Sequence, residues 1–347
     1  MPTFDTGHLF LTFLSPIKQG STSDPTGAIV SHEQLVRATL GLLPTALQSP
    51  ATQKIGENSP FARNRMTHLC RMFVLEDAVF NGRNPVDAIC ESLQGKDPIN
   101  PQRVDRLNCA YLVFCADVDA VMDEGESLPE VLDTALQARA RDAYLRKLWT
   151  TMEPELRLIY GNCTGFDGVD SGASFAAYMA KCQIETTMPF NDYWISQPEL
   201  SNLPTKPMLV AAAIPAAITL LGLIGGIFGM DKMFLLGWLT GWSAWGSFFW
   251  GGLVTAAVVY GLYRYVLANG QKPMPPAKYG DLPSVLKSLY LQQHFANFVI
   301  DQQGRDADTL HADFGDFLKQ HRPGNKMAPS QAPGVISIDA AGGVIEG

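Results

Sequence analysis

Positive charge is in short supply in this chain. Its 347 residues carry 26 Lys and Arg against 34 Asp and Glu, a formal net charge of -8. That balance argues against a phosphate-coating role, so no nucleic-acid partner is expected. Cysteine is sparse and scattered: Cys70, Cys90, Cys109, Cys115, Cys163 and Cys182, with no C-x-x-C pair among them. Zinc sites built from sequence-local pairs are therefore unsupported, and no metal is expected from motif spacing. The cysteines read as reduced thiols that act as small buried hydrophobes. The sequence also lacks H-E-x-x-H, a phosphate-cradling glycine loop and a G-x-S-x-G elbow. Its first eight residues, Met1 to His8, have neither the basic nor the apolar stretch of a secretory signal, which predicts a domain that is not exported. No internal repeat is present.

What the chain does have is a long stretch with almost no charge. From Met208 to Met230 no residue is charged, and after Asp231 and Lys232 a second uncharged run extends from Met233 to Tyr263. A bilayer core of ~30 Å needs roughly 20 apolar residues to cross as a helix. A soluble core helix rarely stays uncharged on every face for so long. A transmembrane hairpin over residues 207–266 is predicted, with the lipid bilayer as a partner. Gly222, Gly225, Gly226 and Gly229 permit close helix approach. Trp238, Trp242 and Trp245 belong either to a headgroup layer or to the contact between the two helices. Lys206 precedes the first run, while Arg264, Lys272 and Lys278 follow the second. The positive-inside rule then puts both termini in the cytoplasm of a multi-pass protein of the inner membrane.

Residues 1–200 read as alternating strands and helices. His8 to Pro16 is a first strand rich in apolar and aromatic residues. Ser31-His-Glu-Gln34 is a capping box opening a helix whose apolar face carries Val36, Leu40, Leu43 and Leu47. Met66 to Val79 and Tyr111 to Val118 are the second and third strands. A helical region follows over Pro129 to Tyr160, then a short helix near Ser174 to Lys181 and a fourth strand from Ile184 to Phe190. The expected fold is α+β, a ferredoxin-like βαββαβ domain with one sheet face left open. Beyond the hairpin, amphipathic helices are predicted within residues 280–321. The Pro, Gly, Ala and Ser composition of residues 322–347 predicts a mostly disordered tail, with Gln331 to Ile338 as an alternative docked strand.

At Thr67-His-Leu-Cys-Arg-Met-Phe-Val-Leu, Leu112-Val-Phe-Cys-Ala-Asp-Val-Asp and Gly165-Phe-Asp-Gly the domain resembles ferredoxin-like modules of the dimeric α+β barrel kind, including the halves of dye-decolorizing peroxidases. As a whole, the chain resembles bacterial membrane-anchored proteins with such a domain. The resemblance implies peroxidase-like chemistry, with haem as the cofactor to consider, while packing two open sheet faces together would form a homodimer. The peroxidase motif G-x-x-D-G has only a shortened counterpart in Gly165 to Gly168, and no histidine lies between His68 and His294. The haem motifs are thus not preserved.

Four residues stand out as candidate catalytic groups. His68, with Arg65 and Arg71 nearby, sits mid-strand and could ligate iron or shuttle protons. Strand alternation pairs it in direction with Cys70 and Met72, and sets Arg71 on the other face. Asp117 stands two residues from Asp119, so the two carboxylates can share a face and bind a cation or a proton. Asp167 is the aspartate of the shortened motif. Asn191-Asp-Tyr-Trp194 could line a pocket or lie at a headgroup layer. The expected role is that of a membrane-anchored accessory protein that binds a partner, a membrane or peroxidase-type protein or a second copy, through the open sheet face. A haem- or lipid-linked oxidoreductase acting on hydrophobic substrates is the alternative.

Overall fold

The computed structural model describes residues 7–77, 88–96, 107–184, 203–230, 243–272, 275–340 and 342–347. The chain divides into two compact units. The smaller is built on Gln197–Met274, and the larger combines Phe4–Ser196 with Pro275–Gly347. The larger unit is therefore discontinuous in sequence, entered once before the apolar stretch and again after it.

In the larger unit β1 (His8–Pro16) is the first strand that its apolar and aromatic content predicts, buried along most of its length. Leu9, Leu11 and Phe13 enter the main core, where they meet Ala116, Phe114 and their neighbours on β5 (Tyr111–Asp119). A two-stranded ribbon that sequence reading missed, β2 (Ser21–Ser23) with β3 (Ile29–Ser31), intervenes before α1 (His32–Leu42). The Ser31–Gln34 capping box opens α1 as expected. The helix then stops at Leu42, because Leu43 is extended ahead of Pro44, so Leu47 is buried from a loop rather than from the helix face. After α2 (Pro50–Ile55) and a 3-10 turn come β4 (Thr67–Leu75), the short α3 (Ala88–Leu93), and β5.

The long α4 (Thr134–Tyr160) starts at Asp133, whose side chain accepts the Leu136 amide. Met152 leaves helical geometry just before Pro154, as expected where a proline cannot supply an amide to the turn before it. α5 (Gly172–Cys182) leads directly into β6 (Gln183–Ile184). The rest of the predicted fourth strand, and Asn191 to Trp194, lie outside the described residues. The four strands form one antiparallel sheet in the order β4-β5-β1-β6. α1, α4 and α5 pack on one face of it. Tyr144, Tyr160, Phe13, Phe114 and Phe175 are fully buried there, each worth ~1.5–3 kcal/mol of transfer free energy.

The second sheet face differs from expectation. Thr12, Val113 and Asp117 at its centre are buried, and exposure is concentrated on β4. The cysteines are all free, yet only Cys163 is fully buried, and burial pushes its thiol up to about 12. After the apolar stretch, whose two helices are α6 (Thr205–Ile227) and α7 (Ala244–Gly270), come α8 (Leu282–Asp301) and α9 (Ala307–His321).

The chain beyond His321, expected to be mostly disordered, is held by long side chains from distant positions. Arg65 donates to the Met327 carbonyl at 2.7 Å, Lys287 to those of His321 and Pro329, and Asn58 to that of Pro333. Val335 bridges Leu47 in parallel, and β7 (Ser330–Gln331) pairs with β8 (Val344–Ile345). Composition misses this order because the donors stand up to 275 residues away.

The smaller unit contains α6 (Thr205–Ile227) and α7 (Ala244–Gly270), both long and apolar enough to cross a membrane. In the most apolar 18-residue window of each, only 17% and 6% of the residues are buried, whereas the core helix of a soluble protein is mostly buried. They pack through small residues. A Cβ on Gly222 would lie 2.5 Å from the Phe248 amide nitrogen, and one on Gly251 2.8 Å from Thr219 Oγ1. Trp245 lies against Gly226, on the contact between the helices. Trp238 and Trp242 are outside the described residues.

Candidate functional site

The register of β4 against β5 slips at one point. Thr67 faces Val118 and Leu69 faces Asp117, so His68 is the extra residue of a β-bulge. Strict alternation would have grouped His68 with Cys70 and Met72. The bulge re-aims it instead, and its Nε2 lies 2.8 Å from Asp119 Oδ1. Opposite Asp119 on the other neighbouring strand is His8, whose Nδ1 is 3.3 Å from the same oxygen. The two imidazoles meet edge-on, with ring centroids 5.0 Å apart. All three side chains are 1–2% exposed.

The other oxygen of Asp119 has its own partner. Oδ2 accepts the backbone amide of Leu282 at 2.9 Å. Leu282 is the first residue of α8, where amides have no carbonyl within the helix and the helix dipole is positive. Asp281, the N-cap, accepts from Ser284 and pairs with Lys326 at 2.8 Å. Burial pushes the Asp119 carboxyl up, but hydrogen bonds from His68 and His8, the His68 charge and the Leu282 amide outweigh it. The carboxyl is held below the ordinary 3.8. The carboxylate thus stays ionised in a dry setting, which suits it to hold a proton on an imidazole or to ligate a cation.

The chain around this cluster is shaped to fit. Gly7, just before His8, has φ +82°, and a Cβ there would lie 2.8 Å from Leu128 Cβ. Its carbonyl accepts the amide of Ala120, and the amide of Asp119 reaches the Met66 carbonyl, tying together the ends of β1, β4 and β5. Gly280 comes close enough that a Cβ on it would sit 3.5 Å from His8 Nε2.

Beside the cluster runs a cleft of about 440 Å³, lined on one side by His68, Leu69, Cys70 and Met72 and on the other by Leu43 and Pro333. β4 is an edge strand of the sheet, with β6 at the other edge. Its Leu69 and Phe73 are 70% and 41% exposed.

No family model, curated protein or solved structure matches this chain.

The four residues singled out from the sequence do not form one site. His68 joins the buried cluster. Asp117 lies on the same sheet face as Asp119, two residues away and buried, in agreement with the shared-face expectation. Arg71 is exposed on β4 opposite Cys115. Asp167 is at the other end of β1, where its 82% exposed carboxylate pairs with Lys18 at 2.9 Å. β1 spans nine residues between these ends, roughly 30 Å at strand rise. Sequence reasoning missed His8 altogether and treated Asp119 only as the companion of Asp117. The one signal available was a histidine opening the first strand. The bulge that brings His68 over has no sequence mark.

Proposed function

We propose that this chain is a membrane-anchored accessory protein whose larger unit is a ferredoxin-like domain acting at the cytoplasmic face of the inner membrane. The antiparallel order β4-β5-β1-β6, with helices on one face, supports the ferredoxin-like reading. It is also the arrangement that the resemblance to dimeric α+β barrel modules implies. The larger unit takes chain from both sides of the apolar stretch, and His8, Asp119 and Leu282 meet within it. A hairpin that leaves and returns to one unit crosses a bilayer an even number of times, which favours both termini on one side. The flanking Lys206, Arg264, Lys272 and Lys278 support the cytoplasm as that side.

The observation that carries the function is the β4 edge. Proteins usually protect an edge strand with charge, proline or a covering element. Here Leu69, which lines the cleft, and Phe73 stand exposed. The partner we assign to this surface is a second copy of the chain, the homodimer expected for modules of this kind, with the membrane raising its local concentration. Light scattering and cross-linking of the full chain in mild detergent test it. A dimer that Leu69→Glu with Phe73→Glu converts to monomer supports the reading. A wild-type chain that is monomeric at every concentration tried, in detergent and in nanodiscs, overturns it.

A further inference from the structure

We infer that His8, His68 and Asp119 form a binding site for one first-row divalent metal ion, of the zinc or ferrous class. The inference does not depend on what β4 recruits. Each of the three side chains offers a ligand atom, and those atoms all lie within 4.8 Å of one another. A four-coordinate zinc with bonds of about 2.0 Å spaces its donors about 3.3 Å apart. The Asp119 Oδ1 distances to His68 Nε2 and His8 Nδ1, 2.8 and 3.3 Å, need only small adjustment to admit an ion. Two imidazoles with one carboxylate form a borderline donor set, suited to zinc or ferrous iron and poorly suited to calcium or magnesium, which prefer all-oxygen sites.

Three further observations favour a built site over a chance meeting of polar groups. The first is the bulge at His68. An irregularity in an edge strand disrupts its ladder, and this one redirects a single imidazole onto the carboxylate. The second is the Leu282 amide on Asp119 Oδ2, the outer contact that fixes the rotation of a ligating carboxylate. The third is dryness, since the three donor side chains are 1–2% exposed. A buried carboxylate is a negative charge in a dry setting, which a bound cation would offset.

The ligands come from the ends of three adjacent strands, and the outer contact comes from the helix that begins after the apolar stretch. An ion here would therefore pin that returning chain to the sheet. Three protein ligands also leave at least one coordination position for water or a small ligand, and His68 borders the cleft beside β4.

The test uses the full chain in mild detergent. Metal analysis of the protein as purified, and titration of chelator-treated protein with Co²⁺, should each give one ion per chain, with visible ligand-field bands for Co²⁺. Asp119→Asn keeps the side-chain size and one oxygen, for either the imidazoles or the Leu282 amide, and removes the anionic ligand. His68→Gln likewise keeps a donor to Asp119. Both should weaken Co²⁺ binding by at least about 100-fold, the upper end for loss of a mere outer contact. Arg71→Ala, on exposed β4, should bind as wild type does. A wild-type chain with no bound metal and no saturable Co²⁺ binding overturns the inference. So does a full complement of metal in folded Asp119→Asn, since the ion would then sit elsewhere.

Discussion

The two units bury opposite kinds of residue. In the larger one the interior holds the bulkiest side chains, Phe13, Phe114, Tyr144 and Tyr160 among them, while its exposed apolar residues, such as Ile29, Leu42, Leu93 and Leu158, come from several separate elements. In the α6–α7 pair the interior is Gly222, Gly225, Ala244, Ser247 and Gly251, while Leu209, Ile227, Phe249 and Leu253 face outward. Water drives the first arrangement, because apolar area removed from it lowers the free energy. It cannot account for the second, which exposes the apolar side chains and packs the small ones. That pattern suits a pair of helices with hydrocarbon outside them, where close backbone approach rather than apolar burial holds helices together. The same residue type thus has opposite meanings in the two halves of one chain.

The contrast can be broken most severely in the core. Phe13→Ala removes a fully buried ring stacked on Phe114, with centroids 5.8 Å apart. It should destabilise the larger unit by ~3–5 kcal/mol while leaving the apolar pair intact. Amide exchange of the full chain would show faster opening at β5 and unchanged protection in α6 and α7. Next comes a paired test of what exposure means. Leu220 and Leu158 are both exposed, at 57% and 63%. Leu220→Lys should cost about 2.5–3.5 kcal/mol of membrane insertion, seen as release of the chain by alkaline extraction. Leu158→Lys, on the water-facing side of α4, should change stability by ~0.5 kcal/mol or less. Equal behaviour of the two would remove the distinction drawn here.

Smaller effects sharpen the picture. Gly222→Val places atoms where the Phe248 amide already lies and should cost ~1–3 kcal/mol of helix pairing, whereas Gly261→Val, with open space around it, should cost little. Thermal unfolding in detergent compares the two.

The mildest prediction concerns pH. Burial depresses the imidazole of His294 and, together with the charges of His294 and Lys287, that of His321, both from an ordinary 6.5. His321 Nδ1 lies 2.8 Å from the Tyr290 hydroxyl. Above 6.5 both imidazoles are neutral whether folded or unfolded, so they do not affect the balance. Below 6.5 the unfolded chain takes up protons that the folded one resists, and stability falls until the depressed folded values are passed. The protection of α8 and α9 amides relative to their intrinsic exchange rates should therefore fall between neutral and mildly acidic pH, and His321→Asn should flatten that slope.

Features carried by local period were legible in the sequence. The Ser31 capping box, the apolar and aromatic run of the first strand, and the two uncharged runs are each carried by residues close together in the chain. Boundaries failed where a neighbour intervened, as at Leu43 before Pro44 and at Met152 before Pro154. The polar cluster was not legible. Asp119 meets His68 across 51 residues and Leu282 across 163. It does so only because one residue of β4 bulges and because the chain returns to the sheet after the apolar stretch.

By itself, then, the sequence determined that the chain is α+β in its first part and carries two helices apolar enough to enter a membrane, since composition and periodicity are local quantities. Tertiary structure alone decided that the tail is held, that the chain on both sides of the apolar stretch forms one unit, and that two histidines converge on Asp119. Side chains far apart in sequence meet only through strand register and chain return, and neither leaves a pattern in the residues nearby.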